Sequence, residues 1–596
     1  LPRQFLTSLF ILLIALCATL PRQTVAQRAF IEKLDCGYDP LGAEDGWYQH
    51  LINDRRLKQS GIESASAAEV YDAGDIAVIE DDGSIIIPPN KFDLKNKSIL
   101  FIPQGEGFRV ERGDVAFSSD YGSKITGFTG LGGASNANNG SREVALGGSR
   151  FTFFGAIYDR LFVCTNGYVT FNAFDTLARP SPAALATGPP RIAPLWADLD
   201  ISSKGSIYYN RLADRHLITW KSVGQVRYSG ASAFQLSLYD DGRIAFVYKK
   251  IKAHASMVGL SPGGAARAAE LINFSDPPSA LISGPVFEAF TEEKRLDEPG
   301  LAQAFYSAHG DEFDTLYVWT DFEFDNGLGY AHAFNVRNRI SGIGMSAFDR
   351  GAVYASPERL QSILTMGNIV GDWPDDPNSH VVGLNSAISI VCHEQGHRWL
   401  SYVRFEEGRE VKDDLLGRDR EHWSFLIDTR TNEQGSYSSL MEGNAWRESG
   451  GIFTTIESAV NHFSPLDLYL MGLLPADEVG MISYLDTDPD LKELIRSRSP
   501  VNGFSMTARR KQISIDRIIR HEGPRLPDSS ASQREFRVAF VLIVERGRQP
   551  STSTLEKADR YRQSQVRYFS IATRRLASLD SSLAGAQRHS AAITQK

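Results

Sequence analysis

His393-Glu394-Gln395-Gly396-His397, set in the longer run Asn385-Ser386-Ala387-Ile388-Ser389-Ile390-Val391-Cys392 before it and Arg398-Trp399-Leu400 after it, decides how the second half of this 596-residue chain is read. Asn385 and Ser386 are residue types that cap helix N-termini, and the apolar residues after them predict a helix. Residues four apart stack on one helix face, so His393 and His397 project together, in register with Ile390 and Leu400. Two imidazoles at this spacing can share a metal ion, and Glu394 stands beside them where its carboxylate can take a proton from water. A plain structural reading makes them core histidines of a buried helix. Two buried imidazoles around a buried carboxylate would be costly without a metal, so the metal reading is preferred.

Working outward, the composition is that of a globular protein, with 42% hydrophobic and 23% charged residues. The length allows two to four domains. At the N-terminus Arg3 precedes the nearly continuous apolar run Phe5 to Leu20, and Thr24-Val25-Ala26 follows, which predicts a signal peptide over 1–26 and a secreted, extracellular protein. A retained N-terminal anchor is the rival reading. Cys17 follows the bulky Leu16, which speaks against a lipid-attachment cysteine. No later segment is long and apolar enough for a membrane span, so no transmembrane segment is expected after cleavage. The net charge of −9 gives no electrostatic reason to expect a nucleic-acid partner. Beyond the leader only Cys36, Cys164 and Cys392 remain, too few for a disulfide framework, and Cys392 reads as a small core residue rather than a ligand.

Residues 27–119 read as an N-terminal extension or pro-segment with short strands, among them Ile85-Ile86-Ile87 and Ser98 to Ile102. A Gly-, Asn- and Ser-rich connection over 127–148 leads into short β-branched and aromatic runs: Phe151 to Phe154, Leu161 to Cys164, Tyr168 to Phe171, Gly205 to Tyr209, His216 to Trp220, Phe234 to Tyr239 and Arg243 to Tyr248. Turn signals such as Asn166-Gly167 and Asp240-Asp241-Gly242 separate them, which predicts an all-β sandwich over 120–290. Phe153-Phe154-Gly155, Tyr158, Val163-Cys164-Thr165-Asn166-Gly167-Tyr168-Val169-Thr170-Phe171, Pro190 to Asp200, Gly205 to Tyr209, Ile218-Thr219-Trp220 and Leu238 to Ile244 resemble, in order, the nidogen-like extracellular domain. That resemblance implies a binding or spacer module with an unnamed extracellular ligand. Asp198 and Asp200 offer hard oxygens that suit calcium, although loop carboxylates more often cap turns.

From the polar stretch Glu292 to Gly300 onward, 291–596 reads as an α+β domain with a C-terminal α+β subdomain from about 500. Leu316 to Thr320 predicts a buried strand, and the alternating Tyr330, His332, Phe334 and Val336 an edge strand. Ser356-Pro357 predicts the start of a helix bearing Leu360, Ile363 and Leu364. Phe536, Val538, Phe540, Leu542 and Val544 alternate as a strand, and Pro550-Ser551-Thr552 opens a helix bearing Leu555, Ala558, Tyr561, Val566, Phe569 and Ala572. Past Asp580 a loose tail is expected.

The pentad is similar to the zinc motif of the zincin peptidases, and with His422-Trp423-Ser424-Phe425 and the stretch Pro465 to Pro475 it looks like a class of secreted bacterial zinc peptidases. The likeness implies one catalytic Zn2+, a protein or peptide substrate, and Glu394 as general base for a zinc-activated water. A compact zincin would place a glycine and a third histidine at 400 and 403, where this chain has Leu400 and Val403. The third ligand is therefore sought among His422, Glu442 and Asp467. Ser439-Leu440-Met441 is similar to the metzincin Met-turn, which makes Met441 the candidate beneath the metal and favours His422. Gly443 stands where metzincins often carry a tyrosine, leaving Tyr469 as a candidate transition-state stabiliser. Two other functions compete: an extracellular adhesion or binding protein whose zincin domain is catalytically silent, and a zinc hydrolase of non-peptide amides.

Overall fold

The computed structural model describes residues 42–583, apart from 131–134, 203–204, 227, 265–268, 324–330, 384, 430–436 and 457–458. The expected signal peptide, Tyr330 of the expected edge strand and most of the expected tail lie outside the described residues. The molecule is rich in strands. Among the described residues no helix is long and apolar enough to cross a membrane.

The central strand of the pentad-bearing half is Glu535–Glu545, far from the pentad in sequence. It runs parallel to Ile76–Asp81 on one side and Thr315–Thr320 on the other. Ser362–Asn368 continues the parallel set, and His332–Asn335 closes that edge antiparallel, while Val70–Ala73 closes the other. Strands covered on both faces need apolar residues at odd and even positions alike. Phe536, Val538, Phe540, Leu542 and Val544 join one core with the pentad helix Ala387–Gly396 and the C-terminal helix Thr552–Ala572. Ala539, Val541 and Ile543 join a second core with Leu301 and Phe305 of the helix Glu298–Ala308. The result is a three-layer stack. A second sheet of six strands, Ala459–His462, Tyr437–Ser439, Glu442–Asn444, Trp423–Asp428, Met481–Asp486 and Arg509–Ser514, lies on the far side of the pentad helix in sequence.

Three expectations are corrected here. The helix expected from Ser356-Pro357 is a strand, Ser362–Asn368. Its Leu360, Ile363 and Leu364 fit helical spacing, yet Ile363 faces one core and Leu364 the other, the alternation of a strand. The 27–119 extension is not a unit of its own. Its strand Ile76–Asp81 sits within the first sheet, and its strands Ser98–Gln104 and Gly107–Gly113 extend a sandwich sheet beyond Ile244–Lys250. Nor is the chain from about 500 a separate subdomain, because it supplies the central strand of the first sheet.

The sandwich is therefore an insertion. Its sheets have seven and eight strands, and Val286–Thr291 is the last of them in sequence. Where the chain leaves the first sheet and where it returns, Ile86–Ile87 pairs antiparallel with Arg295–Leu296 in a two-stranded neck. Inside the sandwich the Cys164-to-Phe171 signature has a physical basis. Gly167 takes a left-handed φ of 82°, and a Cβ there would strike the carbonyl of Leu195. The side chain of Asn166 accepts from the Leu199 amide at 3.0 Å, fastening that turn to the next strand. The buried Arg191 lies over Tyr168 and Trp196, 4.5 and 4.0 Å from their ring centres, and pairs with Asp175.

Candidate metal centre

The pentad helix begins where Ser386 Oγ accepts from the Ser389 amide at 3.2 Å. Every residue from Ala387 to Gly396 is buried, and the turn closes as the Leu400 amide donates to Gly396 O. The helix ends one residue before His397, which caps it in helical conformation and keeps its place on the face of His393. Tyr317 Oη donates to Gln395 Oε1 at 2.8 Å and accepts from Gln565 at 3.0 Å, tying the pentad to the central sheet and to the C-terminal helix.

His393, His397 and His422 come together, with ligand-capable atoms all within 4.8 Å of one another and all three residues buried. His393 Nε2 is 3.0 Å from His397 Nε2 and 3.2 Å from His422 Nε2. Each Nδ1 faces a main-chain carbonyl: Leu440 O at 2.6 Å, Leu400 O at 3.2 Å and Arg418 O at 3.1 Å respectively. A carbonyl only accepts, so each ring carries its proton on Nδ1 and turns an Nε2 lone pair toward the shared centre. Burial, then the neighbouring His393, holds His397 well below the usual imidazole range. Burial, then the Arg418 charge, does the same for His422. Converging neutral lone pairs repel one another and a shared cation relieves that repulsion, so the three nitrogens fit a divalent ion once Arg418 Nη2, 2.9 Å from His422 Nε2, yields that lone pair. Glu394 adjoins them, fully buried.

The elements that deliver His422 are locally determined. The 3-10 turn Arg418–Arg420 leads into it, and the Gly417 amide donates to His422 O at 2.8 Å. A Cβ at Gly417 would lie 2.7 Å from Trp423 O and 2.9 Å from Arg496 O, so only glycine fits there. The Trp423 amide donates to Met441 O at 2.9 Å. Met441 is buried against Gly396, between the two pentad histidines, and Leu440 O receives the proton of His393. Ser439-Leu440-Met441 thus meets His393 through the Leu440 carbonyl and lays the Met441 thioether against the backbone of Gly396.

The other candidates have different positions. Asp467 is buried and accepts from Trp423 Nε1, Ser439 Oγ and the Ser464 amide, each at 2.6 Å. It caps the helix Pro465–Leu470 and braces the segments on either side of the triad, so it is a positioning residue rather than a ligand. Glu442 reaches the centre only through Arg418, whose Nη2 is 2.8 Å from Glu442 Oε1 and 2.9 Å from His422 Nε2. Tyr469 Oη accepts from the Arg525 amide at 3.2 Å and is committed to that loop instead of the triad. In the sandwich, Asp200 accepts from the Ser202 amide at 2.7 Å and its hydroxyl at 2.6 Å, the turn-capping role. Among the described residues, the three histidines form the single group placed to hold a metal, and it includes neither Asp198 nor Asp200.

Three residues at the centre escaped the sequence reading. Asn335 Nδ2 donates to His397 O at 2.9 Å, and Tyr402 Oη donates to the same carbonyl at 2.7 Å. Arg418 is the third. Its one sequence signal is its place four residues before His422.

Comparison with known proteins bears on the sandwich. Residues 116–285 match the family model described as NIDO related. A segment of 142 residues is 36% identical to alpha-tectorin of Mus musculus, covering 19% of this chain and 6% of that protein. No solved structure matches the chain.

Proposed function

We propose that this chain is an exported zinc-dependent endopeptidase that carries an inserted nidogen-like module for extracellular binding. The observation that carries the reading is the convergence of three buried Nε2 atoms, each ring oriented through Nδ1 by a main-chain carbonyl, beside the buried carboxylate of Glu394. The surrounding α+β architecture supports a zincin-like fold, with a mixed sheet above the helix and an antiparallel edge strand beside it. A zinc ion held by His393, His397 and His422 would supply Lewis acidity, polarising the scissile carbonyl and acidifying water.

The chain's own residues do the rest. Glu394 takes a proton from the attacking water, the water oxygen joins the carbonyl carbon, and the C–N bond breaks as the proton passes to the leaving amine. The edge strand His332–Asn335 pairs with Ser362–Asn368 on one side, and Asn335 brings it against the end of the pentad helix. An extended peptide added to this edge would lie beside the centre.

Glu394→Gln tests the assignment. The variant should keep its metal and lose peptide cleavage, and cleavage at the wild-type rate would sink it. A second reading, an extracellular binding protein with a silent centre, is favoured by the NIDO-related match, since that module by itself implies binding. The intact Glu394 speaks against silence. Metal analysis followed by digestion of a peptide library separates the two, and zinc without peptide cleavage would point to a non-peptide amide.

A further inference from the structure

Arg418 brings a positive charge into hydrogen-bond contact with the triad. Its Nη2 is shared between His422 Nε2 at 2.9 Å and Glu442 Oε1 at 2.8 Å, and its side chain is only 17% exposed. The clamp is built for the purpose: Glu442 is held at a left-handed φ of 74°, followed by Gly443 at 81°. A Cβ on Gly443 would lie 2.5 Å from Thr429 Cγ2 and 2.8 Å from Ile427 Cγ2, so the turn that aims Glu442 at Arg418 also excludes a side chain at 443.

We infer that Arg418, steadied by Glu442, forms with the three-histidine centre a subsite for an oxyanion. Once the Nε2 lone pairs hold a divalent cation, the guanidinium beside them faces like charge. A negatively charged oxygen between the two relieves that repulsion, and a buried, preoriented donor is worth most where charge develops during reaction. The substrate oxygen that acquires such charge is that of the scissile carbonyl. Arg418 would then serve where Gly443 leaves no side chain to help and Tyr469 is engaged elsewhere. Arginine suits the task because it stays protonated and presents several fixed N–H groups.

This inference rests on the zinc reading, and cobalt-loaded protein separates the two. Cobalt(II) in the centre gives visible absorption that changes when azide, a small anion, binds at the open position. We expect Arg418→Gln to take up cobalt fully, since the bond from His422 Nδ1 goes to the main-chain carbonyl of residue 418 and survives the change. Its azide dissociation constant should rise at least about tenfold, and its kcat for a peptide should fall about 100-fold with KM little changed. Arg418→Lys, which keeps a point charge, should lie between the two. Unaltered azide binding in fully loaded Arg418→Gln overturns the subsite, and so does loss of cobalt from that variant, which would make Arg418 a structural brace. A wild-type chain that takes up no cobalt sinks the zinc reading and the subsite with it.

Discussion

At position 467 a single carboxylate holds three donors from three segments: the indole of Trp423, next to His422; the hydroxyl of Ser439, two residues before Met441; and the amide of Ser464. Asp467→Asn keeps the shape but turns an amide group toward at least one donor. We expect a loss of roughly 1.5–3 kcal/mol of stability, the range for a hydrogen bond to a charged group. The folded fraction should bind metal more weakly, because Trp423 and Ser439 no longer fix the two strands that flank the triad. A ligand role would instead remove the metal without much loss of stability, so thermal unfolding and metal content together distinguish the two. The residue scale is also where reading the sequence stops short. His393 and His397 announce themselves by spacing. The orientation of their rings depends on Leu440 O and Leu400 O, and a main-chain carbonyl leaves no mark in residue type.

Among the elements, the docking of the first described helix, Gly42–Ser60, is tied to pH. His50 Nδ1 lies 3.0 Å from both carboxylate oxygens of Asp297, the N-cap of Glu298–Ala308, and Asn53 donates to Asp297 at 2.7 Å. Burial lowers the imidazole, but the bond and charge of Asp297 outweigh it, and His50 stands above the ordinary histidine range. Burial pushes the adjacent Glu298 carboxyl up to about 8 from an ordinary 4.5. Both groups hold a proton more tightly folded than unfolded, so their contribution is complete at low pH and fades as pH rises through the folded values. Hydrogen exchange across 50–60 and 298–308 should be slower at pH 5 than at pH 8.5 after correction for intrinsic rates, and Glu298→Gln should narrow the difference. Equal protection at both values would refute the linkage. The elements were unevenly legible. Short strands around Asn166-Gly167 and the helix after Ser551 could be read locally because turn and cap residues mark them. Ser362–Asn368 could not, since Leu360, Ile363 and Leu364 satisfy a helical and a two-faced strand pattern equally until the second core is known.

For the whole molecule, the lesson is that sheet partners far apart in sequence, Ile76–Asp81 with Glu535–Glu545, leave no local trace, and so the insertion of the sandwich was hidden. The neck makes it testable. Ile87 pairs with Arg295 and Ile86 with Leu296, so removing residues 88–294 and joining the ends by Asn-Gly would leave a two-residue hairpin. The shortened chain should fold, and its metal content should equal that of the full chain. A fragment of 120–290, by contrast, lacks Ile99, Phe101, Phe108 and Val110 of the sandwich core. It should unfold without the sharp transition of a 90–293 fragment.

The neck also decides how the two halves would share a mechanical load. The two neck strands stand side by side, one coming from Ile76–Asp81 and the other running on into the helix Glu298–Ala308, so tension on the sandwich is divided between two strands pulled in the same sense, and the ribbon is neither peeled nor slid apart. The load arriving along Ile86–Ile87 passes to Ile76–Asp81, which is hydrogen-bonded on both sides. Drawing out that strand would mean shearing two ladders at once, which places the resistance in the same sheet that supports the histidines. A chain held by its inserted module would keep the three histidines in register.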